Sequence, residues 1–110
     1  MYDDTIQVKI RTTGDGSCRV TVAGELDVCT APAVRNALRD VLIRHERVDV
    51  DCAGVSFCDC SGLSALLAAA RTAKAVKAEL RLCAVPRVLA LLLRLSHTGR
   101  AFTIEQPSAP

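Results

Sequence analysis

The feature that most constrains the fold is a strand-like run, a turn and a helix-like run that follow one another within residues 48–77. Val48, Val50 and Cys52 alternate with two aspartates, which is the period of a half-buried β-strand. From about Gly62 to Lys77 the apolar residues recur at helical spacing on one stripe: Leu63, Leu66, Leu67, Ala70 and Ala73. A strand followed by an amphipathic helix is typical of βαβ units, which build parallel sheets.

Two strands and a helix are predicted before this unit. Residues 6–10 and 18–22 alternate apolar and polar side chains on either side of a glycine-rich turn at 14–16, which predicts an antiparallel hairpin. Thr30 is expected to cap a helix with Pro32 in its first turn. The apolar residues of that helix fall on one face: Val34, Ala37, Leu38, Val41 and Leu42.

A strand, a helix and a short strand are predicted after the unit. Alternation at residues 80–84 indicates a fourth strand, and Pro86 opens a leucine-rich third helix. Gly99 is the expected end of that helix, and residues 102–104 read as a short last strand. The order is therefore β-β-α-β-α-β-α-β, an α/β fold with a mixed, mostly parallel sheet.

Length and composition favour one domain. We expect residues 1–110 to form it, with a core at about 5–105 and a flexible polar tail at 106–110. Only 3% of the residues are aromatic, and 14 scattered basic residues are nearly matched by 12 acidic ones, which argues against nucleic acid as a partner. No run reaches the roughly 18 uncharged apolar residues of a membrane span, so direct membrane insertion is not expected.

The chain contains six cysteines, which raises the question of a disulfide scaffold. Such a scaffold requires export, but residues 1–4 are acidic and no apolar run of signal-peptide length follows them. We therefore expect a cytoplasmic protein with reduced thiols. Cys18, Cys52 and Cys83 lie in strand-like runs and are predicted to be small core residues. Asp49 and Asp51 alternate with valines and are predicted to form a polar strand face.

The residues that carry chemistry follow the second and third strands. Since parallel strands end at the same edge of a sheet, residues 27–29 should lie beside residues 58–61. A helix start presents unpaired N–H groups and the positive end of the helix dipole, so Cys60 and Ser61 occupy positions where a negative charge is stabilised. This edge is the predicted functional site.

Three segments around this edge occur in a recognisable order and spacing: Gly24-Glu25-Leu26-Asp27, Asp51-Cys52-Ala53-Gly54-Val55-Ser56-Phe57 and Asp59-Cys60-Ser61-Gly62-Leu63. Together they resemble the STAS domains of anti-sigma factor antagonists, and the resemblance extends from about Val8 to Ile104. It implies a regulatory protein that captures an anti-sigma factor of the serine kinase type and so controls transcription initiation. The sequence itself has no Gly-rich phosphate loop of the Walker type, so we expect neither enzymatic activity nor a cofactor.

The resemblance also implies a set of partner-binding residues around the helix start: Asp27, Cys58, Asp59, Cys60, Ser61 and Gly62. In the family, the kinase phosphorylates a serine directly after the aspartate, and the added charge breaks the complex. This sequence departs from the pattern, because Cys60 stands at the phosphoacceptor-equivalent position and Ser61 at the second hydroxyl position. Three outcomes stay open: the switch is lost, it has shifted to Ser61, or it has become a redox switch at Cys60.

Cys29 is the candidate redox partner of Cys60, because it arrives from the neighbouring loop. A helix dipole contributes about 0.3–1 kcal/mol, less than one pKa unit, and the carboxylate of Asp59 opposes it, so strong thiol activation is not implied. Cys29, Cys58 and Cys60 lack a Cys-x-x-Cys pair and a nearby histidine, so zinc is not expected.

A second function is implied by the same resemblance. Similar domains serve as structural subunits on the cytoplasmic side of membrane lipid or anion transport systems. The antagonist-like ends of the chain favour the first function over this one.

Overall fold

The structure is a computed structural model that describes residues 6–105. The elements follow the predicted order, with a short 3-10 helix (Gly99–Ala101) before the last strand. Their bounds are β1 (Ile6–Gly14), β2 (Ser17–Leu26), α1 (Ala31–Leu42), β3 (Arg47–Cys58), α2 (Cys60–Val76), β4 (Glu79–Cys83), α3 (Arg87–Leu95) and β5 (Thr103–Ile104). The predicted α/β class is confirmed. The tail predicted at 106–110 lies outside the described residues.

The five strands form one sheet in the order β1-β2-β3-β4-β5. β1 and β2 are antiparallel, and the remaining pairs are parallel, so the predicted mixed sheet is confirmed. Each of the three helices connects one strand to its next neighbour in the same direction along the sheet. Right-handed connections of this kind place all three helices on one face of the sheet. One buried cluster accordingly joins residues of the sheet to residues of all three helices: Val20, Val22, Val48, Val50, Leu82, Leu38, Leu66 and Leu89.

The opposite face of the sheet carries charged side chains. Asp51 accepts a hydrogen bond of 3.1 Å from Arg19, and the same contact raises the pKa of the Arg19 guanidinium. Arg81 bonds to Glu105 at 2.7 Å, and its Nε lies 3.7 Å from an oxygen of Asp49. The aspartates thus form the predicted polar strand face, and their charges are balanced by arginines on neighbouring strands.

The helix α2 lies on the sheet with most of the predicted stripe inward. Leu63 and Leu66 are buried, whereas Leu67 is only half-buried. Ala65 and Ala69 are buried instead, because α1 packs along that side of α2 and shifts the covered face towards itself. No helix within residues 6–105 is long and apolar enough to cross a membrane.

Two predictions about helix ends differ from the structure. Thr30 precedes α1, but its side chain makes no capping bond, since its hydroxyl donates to the carbonyl of Glu25. Gly99 does not end α3, which stops four residues earlier at Leu95. His97 adopts the left-handed conformation there, with a φ of 58°, and its N–H donates to Arg94 O, so the helix ends without a glycine.

The buried face of α2 generates a stability prediction. Leu66 is 1% exposed in the core, and replacement by alanine leaves a cavity there. We expect Leu66→Ala to lower the free energy of unfolding by about 2–5 kcal/mol in chemical denaturation. Leu95→Ala is the matched control, because Leu95 is 67% exposed, and it should change stability by less than about 0.5 kcal/mol. Equal losses in both variants would contradict this orientation of α2.

Candidate functional site

The site is built where β2 and β3 end side by side. Leu26 pairs with Cys58 in the parallel register, so the turns that follow the two strands are neighbours. The N–H of Asp59 donates to the carbonyl of Leu26 at 3.2 Å and extends this pairing by one residue into the second turn. The topology therefore brings residue 27 and residues 59–61 to one edge of the sheet.

Asp59 is the N-cap of α2. Its backbone is extended, and its Oδ1 accepts hydrogen bonds from Ser61 N at 2.9 Å and Gly62 N at 3.1 Å. This cap starts the helix at Cys60, two residues before the predicted start at Gly62, because it satisfies donors that a helix otherwise leaves unpaired. The positive helix end is thus already matched by a carboxylate of the chain itself.

A second aspartate shapes the turn after β2. Oδ1 of Asp27 accepts from Cys29 N at 2.9 Å and from Thr30 N at 3.2 Å. The Thr30 hydroxyl accepts from Asp27 N at 2.9 Å and donates to Glu25 O at 2.8 Å. Thr30 is 1% exposed, so the bonds of its hydroxyl are shielded from water and hold the turn, whereas Asp27 is half-exposed. Sequence analysis missed this role, although the Asp-x-x-Thr spacing is a signal for such a turn.

The predicted partner-binding residues differ in how much surface they offer. Cys60 is exposed, and Asp27, Asp59 and Ser61 are half-exposed. Two further members of the set are buried, namely Cys58 and Gly62. These two support the site from below, and the surface available to a partner comes from the other four. We call those four residues the loop-edge surface.

Gly62 is held against the end of β2. A β-carbon at this position would meet the carbonyl oxygen of Leu26 and would lie 2.6 Å from Leu26 Cγ and 3.0 Å from Cys58 Sγ. Only glycine lets the first turn of α2 approach the strand this closely. The first turn of α2 therefore rests directly on the turn that contains Asp27.

The six cysteines are free thiols in two environments. Burial raises the pKa of Cys58 to about 11, with a smaller contribution from the charge of Asp59. Burial likewise raises the pKa of Cys52 to about 12, of Cys83 to about 11, and of Cys18 above its usual range. These four stay protonated at neutral pH, and Cys29 and Cys60 are the exposed thiols.

No cluster of three potential metal ligands is found within residues 6–105.

A cavity of about 330 Å³ adjoins the loop-edge surface between α1 and α2, and Ser61 and Val28 line its near end. A larger cavity of about 600 Å³ lies away from the site, between α3 and β5. The position of the smaller cavity makes it part of the same candidate site, whereas no residue of the loop-edge surface lines the larger one.

Comparison with known proteins gives a consistent result. A family model described as "Mlab, STAS domain" matches residues 10–104. No curated protein matches the sequence. An anti-sigma factor antagonist from Mycobacterium paratuberculosis is similar in structure, with a TM-score of 0.79 and 24% sequence identity over 97% of this chain and 91% of that chain. At this identity the likeness concerns the fold.

The Bacillus cell fate determinant SpoIIAA in its phosphorylated form is also similar. Its TM-score is 0.70 at 17% identity, covering 91% of this chain and 92% of that chain. The unphosphorylated form of SpoIIAA gives a TM-score of 0.74 at 17% identity, covering 91% and 89% of the two chains. Both forms therefore share the fold of this chain.

The close approach at Gly62 generates the prediction for this site. Alanine in place of a helical glycine ordinarily stabilises by about 0.5–1 kcal/mol. We expect Gly62→Ala instead to destabilise by about 1–3 kcal/mol, because the new methyl group overlaps the end of β2. Gly99→Ala is the control, since nothing lies within 4 Å of a β-carbon there, and it should stay within about 0.5 kcal/mol. A stabilised Gly62→Ala protein in urea denaturation would disprove the contact.

Proposed function

Since the chain belongs to the STAS domain family, we propose that it is an anti-sigma factor antagonist that acts in the cytoplasm. In this proposal it captures an anti-sigma factor of the serine kinase type and so controls transcription initiation. It binds the partner without catalysing a reaction or requiring a cofactor. The binding region is the loop-edge surface, together with the end of the adjoining cavity at Ser61.

The observation that carries this proposal is the fixed geometry of the loop-edge surface. Asp59 caps α2, and Asp27 holds the neighbouring turn through bonds to Cys29 and Thr30. Binding to a fixed surface costs less conformational entropy than binding to a mobile loop. The similar solved structures described as antagonists support the proposed antagonist function.

The same geometry supports an electrostatic account of regulation. A phosphate on residue 60 would carry about −1.5 to −2 charges beside the carboxylate of Asp59. Asp59 already accepts the N–H groups of Ser61 and Gly62, so these donors are engaged before any phosphate arrives. Repulsion and desolvation would then expel a bound partner. Cys60 presents a thiol, which does not carry this charge unless it is oxidised.

Of the three regulatory outcomes, we propose that the phosphorylation switch at residue 60 is lost. Ser61 is the possible shifted phosphosite, and it is half-buried, with its N–H bonded to Asp59. Cys29 and Cys60 are both exposed and are the possible redox pair.

The family model favours a second candidate function. Its description names Mlab, and it matches residues 10–104. The chain would then serve as a STAS subunit on the cytoplasmic side of a membrane lipid or anion transport system. The same surface residues would contact a subunit of that system.

Capture of partners from native extracts tests the proposal. We expect the tagged full-length protein to retain a small kinase-like anti-sigma factor, identified by mass spectrometry, and Cys60→Glu to lose it. Val76→Glu is the control, because it adds the same charge at an exposed position at the far end of α2. Recovery of a transport ATPase or permease would replace the first function by the second, and recovery of neither class would contradict both.

The residue at position 60 generates a prediction about phosphorylation. We expect the wild-type protein to stay mostly unmodified with the captured kinase and ATP, and Cys60→Ser to become phosphorylated, because the hydroxyl is restored beside Asp59. Mass spectrometry identifies the residue that carries the phosphate. Stoichiometric phosphate on Ser61 of the wild type would instead establish a shifted switch. Binding that peroxide blocks in the wild type but not in Cys60→Ser would establish the redox alternative.

A further inference from the structure

The helices α1 and α2 pack side by side and leave a groove between them that begins at the loop-edge surface. Two adjoining cavities, of about 330 and 410 Å³, share Arg35 and Ala68 and form this groove. The first cavity begins at Ser61, and the second continues to Arg39 and Thr72. At about 1.5 Å per helical residue, the groove follows α2 for roughly 17 Å. We call it the α1–α2 groove.

The charge of the α1–α2 groove has one sign. Arg35 and Arg39 line it from α1, and Arg71 lines it from α2. No aspartate or glutamate is among its lining residues. The ion pairs found within residues 6–105 lie on the sheet and its edge, and none of them involves these three arginines. The groove is therefore a positive region on a chain whose net charge is only +2.

The groove between the arginines is lined mostly by small side chains, both alanines and polar residues such as Ser64 and Thr72. Ala65, Ala68 and Ala69 line it from α2, and two of them are buried. Alanines leave room for a partner's backbone to approach the helices closely. Val28 lines the end nearest the loop-edge surface and is 68% exposed, so an apolar side chain is available to a bound segment there.

We propose that the α1–α2 groove receives an acidic segment of the partner protein. The proposal rests on the proposed function, because the groove continues from the surface assigned to the anti-sigma factor. Arg35 and Arg39 are four residues apart on one helix face, about 6 Å along the axis, which matches carboxylates one helical turn apart in a bound segment. Arginine also pairs with carboxylates through two parallel hydrogen bonds, so the groove selects Asp and Glu by geometry as well as by charge.

The shape of the groove favours a protein segment over a lipid surface. A membrane is flat on this scale and contacts side chains that protrude from a convex face. Here the alanines lie between two helices, with guanidinium groups on both sides. An inserted chain contacts the alanines and the arginines at the same time, which a lipid headgroup layer does not.

The test is a charge reversal on both walls of the groove. The variant Arg35→Glu/Arg71→Glu is compared with Arg87→Glu/Arg94→Glu, which changes the net charge equally on exposed positions of α3. We expect the groove variant to bind the captured anti-sigma factor at least about tenfold more weakly and with a smaller salt dependence, and the α3 variant to stay within about twofold. Equal weakening of both folded variants would mean that net charge alone attracts the partner, and would overturn the proposal.

A synthetic probe tests the groove without the partner. A helical peptide with glutamates four residues apart should shift the NMR methyl signals of Ala65, Ala68 and Ala69 in the wild-type protein, and its glutamine counterpart should not. Equal shifts with both peptides, or no shift with either, would overturn the proposal for the groove. The proposed function would still stand in that case if the anti-sigma factor is captured. Peptide binding without any anti-sigma capture would support an acid-binding groove and contradict the proposed function.

Sedimentation with vesicles that contain phosphatidylglycerol tests whether the groove binds a membrane instead. We expect the wild-type protein and the groove variant to sediment equally with these vesicles. Strong sedimentation of the wild type that is lost in Arg35→Glu/Arg71→Glu would assign the groove to an anionic membrane and overturn the protein-segment proposal.

Discussion

The rest of the site depends on the contact between Gly62 and the end of β2. Because Gly62 has no side chain, the first turn of α2 rests on Leu26, and the N–H of Asp59 reaches the carbonyl of the same residue. The two turns at this edge therefore form one packed unit. Asp59 can cap the helix and Asp27 can close its own turn without either loop moving, and the exposed thiol of Cys60 projects from a fixed base.

A helix start can either bind an anion or be capped by a side chain of its own chain, and here it is capped. A helix N-terminus with free donors binds an anion, whereas here the Asp59 carboxylate already accepts from two of those donors, Ser61 N and Gly62 N. In the proposed account of regulation, a further negative charge at residue 60 would meet repulsion from Asp59. The arginines of the α1–α2 groove provide positive charge beside this edge, so carboxylate and guanidinium groups occupy adjoining parts of one surface.

Most of the fold follows from local periodicity, and most of the site detail follows from tertiary packing. The alternation of the strands and the apolar stripes of the helices were sufficient to predict the element order, and the parallel connection of β2 and β3 was sufficient to predict the edge where the loops meet. Alternation indicates β3 only as far as Cys52, because the register of the strand shifts near Gly54. Arg35 and Arg71 are far apart in sequence, so their place on opposite walls of one groove depends on how α1 packs on α2. The hydrogen bond of the buried Thr30 hydroxyl likewise depends on a carbonyl of the preceding strand, that of Glu25.

The one-sided covering of the sheet has an evolutionary consequence. The helices and the buried cluster lie on one face, and the other face holds side chains such as Arg19 and Asp51 that bond mainly to one another. Substitutions on the charged face can therefore accumulate without repacking the core, and substitutions along the helices can alter the proposed partner surface without disturbing the charged face. A lineage of such domains can change its binding specificity and its surface chemistry along independent mutational routes, which allows divergent sequences to retain one backbone.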